Sequence, residues 1–251
     1  MEKSIDFDQV SDLYDHYVNT DLDVSFYVTL CKGRKNILEL MCGTGRVSLP
    51  LLREGCRLTC VDYSSGMLDA FRSKLSGKED VRLVCQDVCR LDLGEKFDLA
   101  FIPFHSFSEI VDADKRRQAV ERIYEHLVPN GFLFVSLYNP DYRITLADGE
   151  LKILGNFPLN GDRILMVSFR NSFSVGERIV RGEQYYEIRD AGENLLETRS
   201  LPICFSILSM EEMRTLAREA GFEVLAIYGD YEKSPYTKDS RFMNFLLKKS
   251  D

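Results

Sequence analysis

The stretch Asn36 to Arg46, reading Asn-Ile-Leu-Glu-Leu-Met-Cys-Gly-Thr-Gly-Arg, constrains this chain more than any other. Ile37, Leu38 and Leu40 form a short apolar run, which suits a strand buried on both faces of a parallel sheet. The run leads directly into Gly43-Thr44-Gly45. Two glycines one residue apart let the backbone turn sharply and approach a ligand closely, because no Cβ intervenes. Val47, Leu49, Leu51 and Leu52 then carry apolar side chains into a helix, in which Pro50 is tolerated only near the first turn. Strand, glycine turn and helix make the geometry of a nucleotide site, with free backbone N–H groups at the helix start facing the crevice beyond the strand end.

Further strands follow in alternation with helices. Arg57 to Asp62 reads as a second strand ending in an acid. Asp62 falls roughly 20 residues beyond the glycine turn, where a carboxylate reaches the hydroxyls of an adenosine ribose. An ionised carboxylate only accepts, and two neighbouring hydroxyls both donate. The competing reading is an Asp capping the next helix, a task that Ser64 and Ser65 can also take. Val81 to Asp87 is a third strand, again ending in an acid, and Phe97 to Phe104 a fourth. Asp114 to Val128 is expected to be helical and stopped by Pro129-Asn130-Gly131, before a fifth strand from Phe132 to Leu137. This alternation predicts an α/β fold, a doubly wound and mostly parallel sheet with helices on both faces.

The flanks differ in pattern. Residues 1–35 form an amphipathic lead-in, with Val10, Leu13, Tyr14, Tyr17 and Val18 at roughly helical spacing and acids at Asp12, Asp15, Asp21 and Asp23. They read either as helices packed on the flank or as a cover over the crevice, with Tyr14 or Tyr17 touching the ligand. Residues 141–206 are β-rich: Ile164 to Phe173, Ile179 to Arg189 and Leu196 to Ile207, with Asn160-Gly161 as a hairpin signal. They read as an antiparallel meander inserted in the α/β domain, serving as a lid over a substrate region or as a homodimer contact. Leu165, Val167, Phe169 and Phe173 share the face expected to pack. Ser209 with Glu212 gives a capping box that opens a last helix. Phe222 to Tyr228 and Phe242 to Lys248 are the last two strands. The α/β domain therefore spans 36–140 and 207–251.

Composition narrows the partners. A net charge of −8 repels phosphate backbones, so nucleic acid is not expected as a partner. The seven cysteines include no Cys-x-x-Cys, and the three histidines, His16, His105 and His126, have no ligand-like spacing, so no metal is expected. No signal peptide and no apolar run near the ~18 residues that span a bilayer are visible, so the expected location is cytoplasmic, with no membrane partner.

Taken together, Leu38-Glu39-Leu40-Met41-Cys42-Gly43-Thr44-Gly45, Asp62 with Tyr63-Ser64-Ser65-Gly66-Met67-Leu68, Gln86-Asp87-Val88 and Leu127-Val128-Pro129-Asn130-Gly131-Phe132 resemble the class I S-adenosylmethionine-dependent methyltransferases. The resemblance covers roughly residues 10 to 140 and the final helix and strands. It implies a seven-stranded sheet with its last strand antiparallel, and S-adenosyl-L-methionine as cofactor. Cys42, Gly43, Thr44 and Gly45 would wrap the methionyl part, and Glu39 would orient its amino group. Asp62, beside Tyr63, would hold the ribose. Met67 would pack near the adenine, while Gln86, Asp87 and the Val88 N–H would meet its edge. Pro103 to Phe107 would line the transfer site, with Tyr14 above the cofactor. Met41 departs from the family, which often has glycine there, so its side chain must point away from the cofactor or the loop is displaced. Ile102-Pro103-Phe104-His105 is a poor match to the motif of base-methylating members.

The implied activity is methyl transfer to an O or N atom of a small-molecule acceptor. His105 is the histidine on the crevice rim; it reads as a general base, or as a loop histidine bonded to backbone. Two other classes remain. One is a nicotinamide-dependent oxidoreductase, since Gly43-x-Gly45-x-x-Ser48 has nearly the required spacing. Glu39, Asp87 and the final strand pattern favour the methyltransferase. The other is a protein that binds S-adenosylmethionine without turnover.

Overall fold

A computed structural model describes residues 5–250. In chain order the elements are α1 (Tyr14–Tyr17), α2 (Val24–Cys31), β1 (Ile37–Leu40), α3 (Ser48–Arg53), β2 (Leu58–Asp62), α4 (Ser65–Ser73), β3 (Val81–Cys85), β4 (Phe97–Ile102), α5 (Ala113–Glu125), β5 (Leu127–Val135), α6 (Pro140–Thr145), β6 (Asp148–Leu159), β7 (Arg163–Ser174), β8 (Ile179–Arg189), β9 (Leu195–Ser206), α7 (Met210–Glu219), β10 (Phe222–Tyr228) and β11 (Asn244–Lys249). Seven strands form one sheet in the order β10-β11-β5-β4-β1-β2-β3. β1 to β5 pair in parallel, and β11 runs antiparallel to both β5 and β10. The expected class of fold is therefore the observed one.

Every residue of β1 and β2 is buried. Apolar side chains fill both faces: Ile123, Met213 and Phe245 on one side, Tyr27, Leu51 and Phe71 on the other. Burying each such side chain contributes about 1.5–3 kcal/mol. The strand order reverses between β1 and β4, so the loops after their carboxyl ends diverge and leave a crevice.

β6 to β9 form a separate four-stranded antiparallel sheet. Its inner face, with Leu165, Val167, Tyr186 and Leu201, packs on Ile5, Val10, Leu13 and Tyr17 from the start of the chain. Tyr186 and Tyr17 meet there, hydroxyls 3.0 Å apart, whereas Tyr185 bonds its neighbour Glu183.

Two expectations are corrected. Helix α5 ends at Glu125, not at Val128, and Pro129-Asn130-Gly131 lies within β5. His126, not the proline, is the C-cap. The β4–β5 register jumps from Phe97↔Leu127 to Leu99↔Phe132, so Pro-Asn-Gly is looped out as a bulge, with Asn130 at φ 62°. The four-stranded sheet also has a first strand, β6, which the Asn160-Gly161 hairpin signal implies but which the sequence pattern did not delimit.

Candidate functional site

The glycine bend closes the carboxyl end of β1. The Cys42 N–H still donates to the Val61 carbonyl at 3.1 Å, continuing the ladder with β2. The chain then turns through left-handed conformations at Met41 (φ 56°), Gly43 (φ 55°) and Gly45 (φ 82°). A Cβ on Gly45 would sit 2.5 Å from the Phe71 ring, so helix α4 excludes any side chain there. A Cβ on Gly43 would meet nothing within 4 Å, so the bend faces open space at that point. Met41 bears a left-handed cost of roughly 1–2 kcal/mol. Its side chain packs on the hydrophobic core, a gain of similar size, so it points away from the bend, one of the two outcomes the sequence allowed.

Asp62, the last residue of β2, holds the bend in place. Its Oδ2 accepts from the Gly43 N–H at 2.8 Å, and its Oδ1 from the Ser64 N–H at 2.9 Å. Each oxygen keeps a further lone pair. Burial pushes this carboxyl up to about 6, against those hydrogen bonds, which favour the ionised form. Glu39 lies beneath the bend and is 0 % exposed. Its Oε2 accepts from the Ser48 hydroxyl at 2.5 Å, while its buried Oε1 has no partner. Burial pushes Glu39 up to about 8.

The acids of the lead-in are tied to this loop. The Thr44 hydroxyl donates to Asp15 Oδ1 at 2.5 Å, and Asp15 also pairs with Lys74 at 2.6 Å. Arg46 forks onto Asp23 at 2.6 and 2.7 Å, with side-chain exposures of only 12 and 3 %. Asp8 accepts from the Ser64 hydroxyl and the Gly66 N–H. Tyr63 donates to the Ile5 carbonyl. The sequence shows Asp15 and Asp23 as charge, not as partners of the bend, and gives no sign of the role of Asp8.

At the end of β3, next to β2, Asp87 caps a 3-10 turn by accepting from the Cys89 N–H at 2.9 Å. Val88, next in the chain, is buried, as is Met67 on α4, and the Gln86 side chain accepts from the Asp92 N–H at 3.0 Å. Cys42 is buried, as is Pro103 at the end of β4.

A cavity of about 340 Å³ opens between the loops after β4 and β5, the first turns of the chain and the four-stranded sheet. Tyr14, Phe104, His105, Glu109 and Arg143 line it. Phe104 and His105 both have left-handed backbones, at φ 55° and 63°, which swings the chain after Pro103 into the cavity wall. The His105 ring is 3.8 Å from that of Tyr138 and stacks on Phe242 at 5.2 Å, and its Nδ1 lies 3.2 Å from Ser136 Oγ. Burial first, and then the charges of Arg143, Arg241 and Arg46, hold its pKa well below the usual imidazole range, so the ring is neutral at pH 7. His105→Ala is expected to cost turnover and spare cofactor affinity, measured as kcat beside calorimetric Kd. A general base accounts for roughly 10²–10⁴-fold in rate. Unchanged turnover would remove His105 from the reaction.

Sequence reasoning missed Glu109, Arg143 and Asn171. Glu109 is 8 % exposed, in the 3-10 turn Ser106–Glu109, and burial, then the charge of Asp62, push it up to about 8. The signal available was an acid inside the apolar run Phe107-Ser108-Glu109-Ile110-Val111.

Comparison with known proteins gives the class. Residues 37–131 match the family profile described as a methyltransferase domain. A curated relative, the cypemycin N-terminal methyltransferase of a Streptomyces species, is 28 % identical over 86 % of this chain and 83 % of its own length. Among solved structures, the CcbJ methyltransferase of Streptomyces caelestis superposes with a TM-score of 0.81 at 22 % identity, covering all of both chains. The sugar N-methyltransferase KedS8 of a Streptoalloteichus species gives 0.78 at 20 % identity, covering 96 % of this chain and 92 % of that one. The reversed β11, the strand order and the superposed structures give the fold of the class I S-adenosylmethionine-dependent methyltransferases. The matched profile and the curated relative support a methyltransferase that uses S-adenosylmethionine.

The residues present fit this cofactor. It carries a cationic amino group, two ribose hydroxyls and a bulky nucleoside. The crevice offers the orphaned Glu39 Oε1, spare acceptor capacity on Asp62 and open space over Gly43. Among the described residues no cluster of side chains is arranged to hold a metal ion, and no helix is long and apolar enough to cross a membrane.

Proposed function

We propose that this protein transfers the methyl group of S-adenosylmethionine to an amine nitrogen of a small molecule seated in the cavity beside His105 and Glu109. The observation that carries this reading is the Glu109 carboxyl. It lines the cavity, is nearly buried, and has no hydrogen-bond or ion-pair partner among the described residues. A buried carboxylate without a cation is costly, and an ammonium group supplies one. The cypemycin N-terminal methyltransferase and the sugar N-methyltransferase KedS8 support an amine acceptor.

For the cofactor, Glu39 would meet the amino group, Cys42 to Gly45 the methionyl chain, and Asp62 the ribose hydroxyls. Asp87, the Val88 N–H and Gln86 would serve the adenine edge, with Met67 and Tyr63 beside it, and Tyr14 and Pro103 would border the transfer site. Bound S-adenosylmethionine supplies a methyl already made electrophilic by its sulfonium. The residues around it must orient a lone pair towards that carbon and take away a proton. An ammonium has no lone pair. Glu109 holds a proton in the empty cavity below about pH 8 and ionises when a cation sits on it. It then accepts the proton of the ammonium, freeing the nitrogen. The nitrogen–carbon bond forms as the carbon–sulfur bond breaks, and that electron pair leaves on sulfur. A base titrating near neutrality suits this transfer. The aromatic walls, Tyr14, Tyr17 and Phe104, exclude water and fix the approach.

Of the lead-in 1–35, the described residues 5–35 act in this scheme as a cover, residues 1–4 lying outside the described ones, and 141–206 act as a lid that completes the acceptor cavity. The α/β domain, 36–140 and 207–251, carries the cofactor. Support comes from Asp15 on Thr44, Asp23 on Arg46, and the cavity walls contributed by Phe169 and Phe205.

The test is label transfer from methyl-labelled S-adenosylmethionine to matched amines and alcohols. Label should appear on amines, and Glu109→Gln should lower kcat/KM by roughly 10²–10⁴-fold while changing cofactor Kd little. Label on alcohols alone, or an unaffected Glu109→Gln enzyme, overturns the amine reading.

A further inference from the structure

The cavity contains a second ionisable side chain without a partner. Arg143, on α6, is the one arginine or lysine among its described lining residues. Its guanidinium lies 4.8 Å from the centre of the Phe205 ring and 5.5 Å from that of Tyr138. No carboxylate pairs with it among the described residues, although Arg46, Arg189 and Arg199 all have such partners. Burial lowers its pKa, and only Tyr138 and Tyr142 act the other way, so no anion of the protein compensates it. A half-buried guanidinium beside two rings and without an anion of its own has a fork of donors that matches a planar carboxylate.

Glu109 and Arg143 do not neutralise each other. No ion pair joins them, and neither figures among the charges that shift the other. The cavity thus holds one unpaired acid and one unpaired base, separated and facing the same space. A third unmatched group is Asn171 Oδ1, buried, lining the same cavity and without a donor. The remaining walls are mainly apolar and aromatic.

We propose that the acceptor is an amine that also bears a carboxylate, an amino acid or a molecule built on one, with the carboxylate forked by Arg143 and an apolar body between the aromatic walls. This rests on the amine reading above for the orientation of the molecule, but Arg143 can be tested without it. The cavity volume lies at the low end of the ~300–1,000 Å³ typical of small-ligand sites, so the acceptor is compact.

Calorimetric titration of the full chain with three probes separates the claims. 3-Phenylpropanoate carries the carboxylate without the amine, phenethylamine the amine without the carboxylate, and phenyl phosphate a different oxyanion. Arg143→Met keeps the length and apolar character of the stem. It should weaken 3-phenylpropanoate by roughly 10- to 100-fold, the range of a charge-assisted hydrogen bond, and leave phenethylamine unchanged. Arg143→Lys, which keeps charge but loses the fork, should fall between. Unaltered melting temperatures of both variants would exclude a folding defect. If 3-phenylpropanoate fails to bind the wild type, or binds Arg143→Met equally well, the inference is overturned. Tighter binding of phenyl phosphate than of 3-phenylpropanoate overturns the carboxylate assignment. If phenethylamine ignores Glu109→Gln while 3-phenylpropanoate still depends on Arg143, the amine reading falls and the anion site stands.

Discussion

Asp62→Asn is expected to weaken S-adenosylmethionine binding by at least roughly 100-fold without lowering the melting temperature of the free protein. Both oxygens of Asp62 accept backbone N–H groups, from Gly43 and from Ser64. An asparagine has one acceptor oxygen and one NH₂, so one of those N–H groups would face another donor. An unsatisfied buried group costs about 1–3 kcal/mol, and loss of a charged acceptor for the ribose hydroxyls costs about 1.5–3 kcal/mol more. Together these correspond to roughly 10²–10⁴ in Kd. The free protein is not penalised to match. Burial raises this carboxyl to about 6, so ionised Asp62 is itself a burden on the fold at neutral pH, and removing the charge offsets the lost hydrogen bond. The same titration fixes the pH dependence. Hydroxyl donors need the carboxylate form, so wild-type affinity should decline below about pH 6, by at most tenfold per unit, and Asp62→Asn should show no such decline. A Kd indifferent to the substitution would mean that the ribose lies elsewhere.

How much of this was legible in the sequence follows from which features are local. The parallel sheet was, because each buried strand is a short apolar run bounded by glycine, acid or proline, and the runs alternate with helical patterns. The bend and Asp62 were, because a turn that needs Gly45 and an acid at the next strand end are fixed by spacing along the chain. Pro129-Asn130-Gly131 misled because the residues that end helices also form bulges, and only pairing with β4 decides between them. The extent of β6 was hidden by Gly149, Gly155 and Pro158, which act as breakers in a sequence. In the structure it is an edge strand whose register shifts twice, at Asp148/Leu151 and Ile153/Gly155, so no face repeats cleanly. Glu109, Arg143 and Asn171 come from a 3-10 turn, a short helix and a strand of the second sheet. Nothing along the chain relates them, and their common property, lacking a partner, exists only after folding.

Glu39→Gln is expected to flatten the pH dependence of stability, and this is the largest effect foreseen on the free protein. Glu39 is fully buried, with one oxygen held by Ser48 and the other unpaired. Its carboxyl titrates near 8 when folded, against an ordinary value of 4.5. Below about pH 4.5 both folded and unfolded chains hold the proton, and Glu39 imposes no charge penalty. Between 4.5 and 8 the unfolded chain releases it while the folded one retains it, so stability falls as pH rises. Above about 8 the folded protein carries a buried, half-satisfied carboxylate, and the full penalty, a few kcal/mol in order of magnitude, is present. Glutamine keeps an acceptor for Ser48 and has no charge to bury. Its amide NH₂ replaces the orphaned oxygen at a cost of about 1–3 kcal/mol, so absolute stability near pH 7 changes little. The difference lies in the slope. Thermal melts from pH 5 to 8.5 should show wild type losing more than the variant, by roughly 8–16 °C, since about 4 kcal/mol is lost over that range at about 2–4 °C per kcal/mol for a chain of this size. S-adenosylmethionine should close that gap, because its amino group gives the ionised Glu39 a counter-charge, so its stabilisation of wild type grows with pH while that of Glu39→Gln stays level. Parallel melting curves for the two proteins would show that the orphaned oxygen is not the strained group the geometry makes it, and that the cationic tail is held by something else.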